Sequence, residues 1–413
     1  EKENAAAEEQ DLGSTLYERA VDYLMELPKF TKKNPMENIR KLLEHLDNPQ
    51  DGFCSIHVAG TNGKGSVCAF LASVIQQCGR HTGLFTSPHL VKINERFRID
   101  GEDAEDEDFI SAFLEVKKAV EELLASEENF CHPTFFEWIF TMGAVLFRRK
   151  GMEYVVWETG MGGRLDATNS IRRPAVTVLT SISLDHTEIL GDTVEKIAWE
   201  KAGILKPGSP VVYDARENRA SAVIEERARR LNCPLFPLKN GMYEIFMKQD
   251  KNIDFSLDTG YDVYNDIRIP SPARYQAVNA SLAVMAADVL YRDGRLKPLE
   301  ERSWEETVRR GIAGVRWEGR MEEIMTDVYV DGGHNEAGIR EFIDTARRLR
   351  GSRPAVLLFS AVSDKDYHHM ICRICEEIKP DRVVTTELPG SRMVPASELA
   401  EIFRQHMEGR VTA

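Results

Sequence analysis

The sequence predicts an α/β protein, with a large domain on a mostly parallel sheet over residues 1–312 and a smaller α/β domain over 313–413. Three observations carry this expectation. Short apolar runs that read as strands buried on both faces alternate with segments of helical periodicity. One of those strands breaks into a glycine loop that continues as a helix, the order of a phosphate cradle at the edge of a parallel sheet. And 413 residues, 42% of them apolar, exceed one core and suffice for two.

In chain order, Glu1 to Gln10 is acidic and alanine-rich and predicts a frayed tail or solvated helix end. Leu16 to Leu27 and Met36 to Leu46 show helical spacing, separated by Pro28 and Pro35. Phe53 to Ala59 reads as a buried strand. It breaks at Gly60, passes Thr61, Asn62, Gly63, Lys64, Gly65 and Ser66, and resumes as a helix over Val67 to Gln77. Glycines let backbone N–H groups converge, the helix N-terminus adds partial positive charge and Lys64 a full one, so the implied ligand is a polyphosphate. The common Gly-x-x-x-x-Gly-Lys-Ser/Thr spacing is altered, since Val58 stands at the first glycine and Gly65 directly follows Lys64. Taken alone, the stretch also fits a strand-to-helix turn with a solvated lysine.

His81 to Thr86 follows as a strand ending in Ser87-Pro88-His89-Leu90, then an extended piece at Arg96 to Ile99 and an acidic loop at Glu102 to Asp108. Phe109 to Leu124 and Pro133 to Arg149 are helical, the second apolar almost all round and therefore buried. Tyr154 to Trp157 and Ala175 to Thr180 read as parallel strands whose C-terminal ends turn polar, the edge at which open α/β sheets bind ligands. Glu158 follows one and Asp185-His186 the other. A carboxylate and an imidazole beside a phosphate loop fit Mg²⁺, which takes few protein ligands plus phosphate and water; alternatively the histidine bonds a metal-bound water. Ile197 to Lys206 predicts a helix end capped by Gly203, with Lys201 in apolar company, by itself an ordinary salt-bridged lysine. Pro210 to Tyr213 and Glu217 to Leu231 add a strand and helix, residues 234–270 short strands, and Gln276 to Tyr291 and Glu305 to Ile312 helices. Gly311 to Gly319 is the expected linker. Beyond it Met321 to Met325, Val328 to Asp331, Ala355 to Phe359 and Arg382 to Thr385 alternate with helices starting near Glu336, Tyr367 and Pro395.

A formal charge of −14 argues against nucleic acid as a partner, which would need a basic face. No apolar run reaches the ~18 residues of a membrane span, and the start lacks a basic-then-apolar signal, so neither membrane insertion nor secretion is expected. Seven scattered cysteines fit reduced thiols in the cytoplasm. Cys372 and Cys375 read as neighbours on the buried stripe of a helix.

Several motifs in order carry a family resemblance from about Tyr23 to Pro395: Gly60-Thr61-Asn62-Gly63-Lys64-Gly65-Ser66; Thr86 to Leu90 with Asn94-Glu95-Arg96; Phe136-Glu137; Glu158 to Asn169; Asp185-His186-Thr187 with Glu200 to Ile204; Tyr275 to Ala280; Trp317 to Glu322; Asp331-Gly332-Gly333-His334-Asn335; and Asp364-Lys365-Asp366. The chain resembles the folylpolyglutamate synthase and dihydrofolate synthase family of the Mur ligase superfamily. The resemblance implies a P-loop-containing, Mur-ligase-like central domain, a Rossmann-like C-terminal domain, and a monomeric ATP-dependent ligase joining a folate or dihydropteroate carboxylate to the amine of L-glutamate. It implies that Lys64 and the loop amides hold the β- and γ-phosphates. Ser87 and Glu158 would take a first Mg²⁺ and His186 a second, and Lys201 would be carbamylated. Asn279, Arg320 and Asp331 would reach the nucleotide from across the cleft, with His334 near the glutamate. Gly162-Gly163-Arg164-Leu165-Asp166 matches members that also make dihydrofolate, so both activities are expected, a polyglutamylation-only enzyme being the alternative. Glu318 and Arg274 depart from the family pattern, where proline and glycine or histidine are usual. The family adds about one more helix and strand after the last motif, so an end truncated at Ala413 is also an expectation. A nucleotide-dependent kinase or switch could own a similar loop, but the Asn-Lys-x-Asp of a guanine site is missing.

Overall fold

A computed structural model of the protein describes residues 15–29, 34–246, 251–390 and 392–413. The expectation for Glu1 to Gln10 lies outside them. The first domain is organised on an eight-stranded sheet of order β4-β3-β2-β5-β1-β6-β7-β8. Its strands are β1 (Cys54–Ala59), β2 (Thr82–Phe85), β3 (Phe97–Ile99), β4 (Glu102–Asp103), β5 (Tyr154–Glu158), β6 (Val176–Leu179), β7 (Val211–Asp214) and β8 (Leu235–Leu238). Six run parallel, and β3 and β4 close one edge antiparallel. β1 lies between β5 and β6, with Val58 opposite both Glu158 and Val178. The loops after β1, β2, β5 and β6 therefore open at one edge, which gathers Gly60 to Ser66, Ser87, Glu158 and Asp185-His186.

β1, β5 and β6 are mostly apolar and buried because both faces are covered, and the buried His57 of β1 is satisfied by the Thr168 hydroxyl at 2.8 Å. On one face the helix Phe135–Arg149 buries Phe140 against Phe85 and Trp157, Phe147 against Trp157, and Trp138 against Tyr23 and Phe113. On the other lie the helices Lys64–Gln77 and Tyr275–Arg292, both aliphatic and almost wholly buried. The helix Trp304–Ala313 packs on Lys64–Gln77 at Gly311, where a Cβ would come within 2.6 Å of Val74. The helix after the glycine loop begins at Lys64 rather than at Val67, because Gly63 takes the left-handed conformation (φ 86°) that ends the loop there. Its first-turn N–H groups thus face the sheet edge.

Gly203 is not a helix cap. The helix Val194–Lys201 runs into a 3₁₀ turn, Ala202–Ile204, and Gly203 is needed for close approach: a Cβ would stand 2.5 Å from the Arg164 Cα. After β8, Tyr243–Ile245, Ile253–Asp258 and Val263–Ile269 form a three-stranded antiparallel sheet.

The separate C-terminal domain has a parallel sheet of Val356–Phe359, Arg382–Thr385 and Arg410–Thr412, packed against the helices Glu336–Arg350, Tyr367–Glu377 and Ala396–His406. Two details differ from expectation. Arg320–Met325 and Val328–Asp331 form an antiparallel hairpin instead of alternating with helices, turned by Asp327 at φ 62°. The short strand Arg410–Thr412 was too brief for periodicity to reveal. All seven cysteines are unpaired; Cys375 is buried and Cys372 only partly so. Among the described residues no helix is long and apolar enough to cross a membrane.

Candidate active site

The loops at the sheet edge and the start of the C-terminal domain enclose a cleft of about 790 Å³. Every site residue expected from the sequence lines it. From the first domain come the glycine loop from Gly60 to Ser66, then Ser87, Glu158, His186, Lys201 and Asn279; Arg320, Asp331 and His334 face them from the second.

The glycine loop is shaped by close contacts. A Cβ at Gly60 would overlap Thr180 Oγ1 at 1.7 Å, one at Gly63 would meet Asn279 Oδ1 at 2.3 Å, and one at Gly65 would meet Trp317 of the linker at 2.7 Å. Thr61 and Asn62 are tied to the strand-β6 loop: Thr61 Oγ1 donates to Ser183 O (3.1 Å), and Thr180 Oγ1 donates to Asn62 O (2.7 Å). Lys64 Nζ donates to Thr61 O at 3.1 Å, which folds its ammonium over the loop. Gln276 links the loop to the covering helix, donating to Ser66 Oγ (3.2 Å) and accepting from Asn279 Nδ2 (2.9 Å).

Glu158 is 4% exposed and accepts the Ser87 N–H at 2.9 Å. Burial raises its pKa, opposed by the Lys64 ammonium and the Ser87 N–H. Lys201, also 4% exposed, donates to Gly60 O at 2.7 Å. Burial, helped by the Lys64 charge, pushes its amine down to about 7. His186 adopts φ 49°, unusual for a non-glycine residue and a mark of a constrained position. Burial lowers the pKa of its imidazole, against the pull of Asp185.

Opposite, Arg320 and Asp331 face each other across the C-terminal hairpin. The Asp331 carboxylate accepts from Gly333 N (2.8 Å), Met321 N (3.0 Å) and Tyr275 OH (3.3 Å), while Arg320 Nη1 donates to Gly319 O (2.9 Å). His334 is held through Nδ1 by Gly332 O at 2.9 Å.

Three residues outside the expected site join the two halves. Asn62 and Asn335 exchange side-chain hydrogen bonds at 3.1 and 3.0 Å. Asp185 accepts from Asn335 Nδ2 (3.0 Å) and from Lys365 Nζ (2.9 Å). Burial opposes ionisation of Asp185, but His186 and Lys365 hold it well below the usual carboxylate range. The signal was present in the sequence, since all three stand inside quoted motifs, but only the fold brings Asp185 to residues 150 and 180 positions away.

Chemically, the cleft can cradle a polyphosphate and neutralise its charge with Lys64. No group of three or more His, Cys, Asp or Glu converges among the described residues.

Residues 58–287 match the family model of the Mur ligase middle domain, and residues 319–413 that of the Mur ligase glutamate ligase domain. The chain is 36% identical over 366 residues to the dihydrofolate synthase/folylpolyglutamate synthase of Bacillus subtilis (strain 168), covering 87% of this chain and 83% of that one. It is 34% identical over 371 residues to the folylpolyglutamate synthase of Lacticaseibacillus casei, covering 87% and 82%. Among solved structures it superposes on Mycobacterium tuberculosis folylpolyglutamate synthase complexed with ADP with a TM-score of 0.87, at 28% identity over 97% of this chain and 88% of that one. A folylpolyglutamate synthase in complex with AMPPCP and folate gives 0.83, at 30% identity and 96% coverage of each.

Proposed function

The chain belongs to the folylpolyglutamate synthase/dihydrofolate synthase family of Mur ligases, and from that premise we propose that it adds L-glutamate to a folate, and also to dihydropteroate, at the expense of ATP. The observation that carries this reading is the cleft walled by Lys64 and Glu158 on one side and by Arg320, Asp331 and His334 on the other. We divide the two units at residues 312 and 313, at the end of the helix Trp304–Ala313 and ahead of Trp317, which packs on Gly65.

A carboxylate is a poor acyl donor, so the acceptor's carboxylate takes the γ-phosphoryl group of ATP and becomes an acyl phosphate. Glutamate's amine then attacks the acyl carbon, and phosphate leaves as the amide forms. Lys64 and the first-turn amides of the helix Lys64–Gln77 neutralise charge on the transferring group, where catalysis of such steps mostly lies. Arg320, Asn279 and Asp331 hold the nucleotide against the loop. His334 stands on the side from which the amino acid enters. The Asn62–Asn335 and Asp185–Lys365 contacts keep the halves together and exclude water from the acyl phosphate.

The donor set fits Mg²⁺: Ser87 and Glu158 offer hard oxygens beside Lys64, and His186, neutral through burial, offers a lone pair for a second ion. Bound there, the cations would offset charge on the phosphates during transfer. Lys201 supports carbamylation, because a buried amine depressed to about 7 is largely neutral at physiological pH, and the neutral amine is the form that adds carbon dioxide. The anionic product would face the same cation site.

The test is incubation with ATP, Mg²⁺ and L-glutamate, with dihydropteroate or tetrahydrofolate offered separately, reading products by mass. ADP and phosphate release that needs acceptor and glutamate together is expected. Hydrolysis indifferent to both would favour a nucleotide switch and refute the ligase, and product from tetrahydrofolate alone would reduce the enzyme to polyglutamylation.

A further inference from the structure

Beside the cleft lies a cationic site that the proposed chemistry leaves unused. Phe135, at the first turn of the helix Phe135–Arg149, carries the Arg96 guanidinium 5.2 Å and the Lys29 ammonium 5.4 Å from its ring centroid. Arg96 is only 7% exposed, and among the described residues no carboxylate pairs with it directly, the charges of Glu158 and Glu95 acting on it from further off. Among the described residues its side chain makes one hydrogen bond, from Nε to His89 Nδ1 at 2.8 Å. That imidazole is no counter-ion, because the nitrogen that accepts this bond carries no proton and the ring brings no negative charge. Glu95, next in the chain, is spent on three backbone donors, the N–H groups of Leu90, Val91 and Lys92. Lys29 likewise has only the Met25 sulfur, at 3.6 Å, among the described residues. The buried Arg96 guanidinium and the exposed Lys29 ammonium thus share one aromatic ring, with no carboxylate bonded to either among the described residues, an arrangement that can take a further anion.

Position identifies what would fill it. The Arg96 carbonyl accepts the Thr86 N–H at 3.2 Å, so Arg96 lies directly beside the strand end that delivers Ser87 to Glu158. The site is therefore next to the place where the acceptor is activated, and all its residues belong to the first domain, whereas His334 and Lys365 approach from the second. Arg96, Lys29 and Phe135 do not themselves line the cleft that holds Lys64 and Glu158. A carboxylate bound there is offset from the phosphates and is not the one that reacts. A terminal glutamyl residue carries such a second carboxylate, separated from the γ-carboxylate by the short Cα–Cβ–Cγ chain.

Resting on the ligase reading above, we propose that Arg96 and Lys29, set around Phe135, form a subsite for the α-carboxylate of an acceptor that is already glutamylated. It would register the chain so that the terminal γ-carboxylate reaches Lys64, and it would stand unused when dihydropteroate is the acceptor.

The experiment compares kcat/KM for tetrahydropteroylglutamate with that for its α-carboxamide, which keeps the γ-carboxylate and loses the α charge. The intact enzyme should prefer the acid by roughly 10-fold or more, the discrimination expected of charge-assisted hydrogen bonds. Arg96→Gln and Lys29→Met should each bring that ratio toward one, with the KM for L-glutamate unmoved. Lys29 is exposed, so its variant keeps the test decisive should Arg96→Gln fail to fold. A wild-type enzyme indifferent to the α-amide, a ratio unchanged in Lys29→Met, or a variant whose only change is a raised KM for L-glutamate would each overturn the subsite. Absence of turnover with either compound in the wild type would instead bring down the ligase reading, and the subsite with it.

Discussion

Replacing Lys201 by methionine removes a titrating group from a buried site while keeping its length. In the fold this amine loses its proton at about 7, against an ordinary value of 10.5. Holding the charged form inside costs about 5 kcal/mol at pH 6 and below, from 1.4 kcal/mol per unit. Between those two values the unfolded chain binds the proton and the folded chain does not, so stability rises with pH through the window. Between pH 6 and pH 9 the gain attributable to Lys201 is about 2–3 kcal/mol. Lys201→Met lacks it, and carries instead a pH-independent loss from the Gly60 carbonyl left without its donor. The assay is urea unfolding in CO₂-stripped buffer at both pH values, followed by fluorescence of Trp138 and Trp157 in the core of the first domain. Wild type and variant should diverge as pH rises, the wild type gaining. Curves that move in parallel would show that Lys201 is not a depressed amine. With ¹³C-bicarbonate present, a carbamate carbonyl resonance should grow above pH 7 in the wild type and be missing from Lys201→Met.

Lys201→Ala should lose most ligase activity and recover part of it with a short carboxylic acid able to occupy the vacated space; full activity without the acid would remove the carbamate from the mechanism. Arg320→Ala should raise the KM for ATP roughly 10-fold or more while both domains stay folded by circular dichroism, since its partner is a single backbone carbonyl; loss of the fold would make Arg320 structural. Lys365→Met breaks a pair whose side chains are 12% and 11% exposed. Leaving Asp185 without its cation costs about 3 kcal/mol or more, so small-angle scattering should report a more open molecule and kcat should fall at least 100-fold; an unchanged kcat would mean that this contact does not hold the halves together.

The sequence by itself determined the architecture of the first domain and the chemistry of its loops. β1, β5 and β6 were legible because strands buried on both faces are mostly apolar, and the glycine loop because only glycine tolerates the approaches at Gly60, Gly63 and Gly65. The motif order was enough to indicate the family. Less was legible where local signals compete. Gly203 looked like a cap because a glycine at a helix end usually is one, whereas here it makes room for Arg164. The C-terminal hairpin was hidden because strand runs separated by a short polar turn carry no mark of their pairing partner. Only the tertiary structure decided which charges meet. Asp185, Asn335 and Lys365 are far apart in the chain, and no periodicity links them. The depression of Lys201 and the burial of Arg96 without a directly paired carboxylate likewise follow from burial and distance, which arise when β1, β2, β5 and β6 end at one edge and a second domain closes over them.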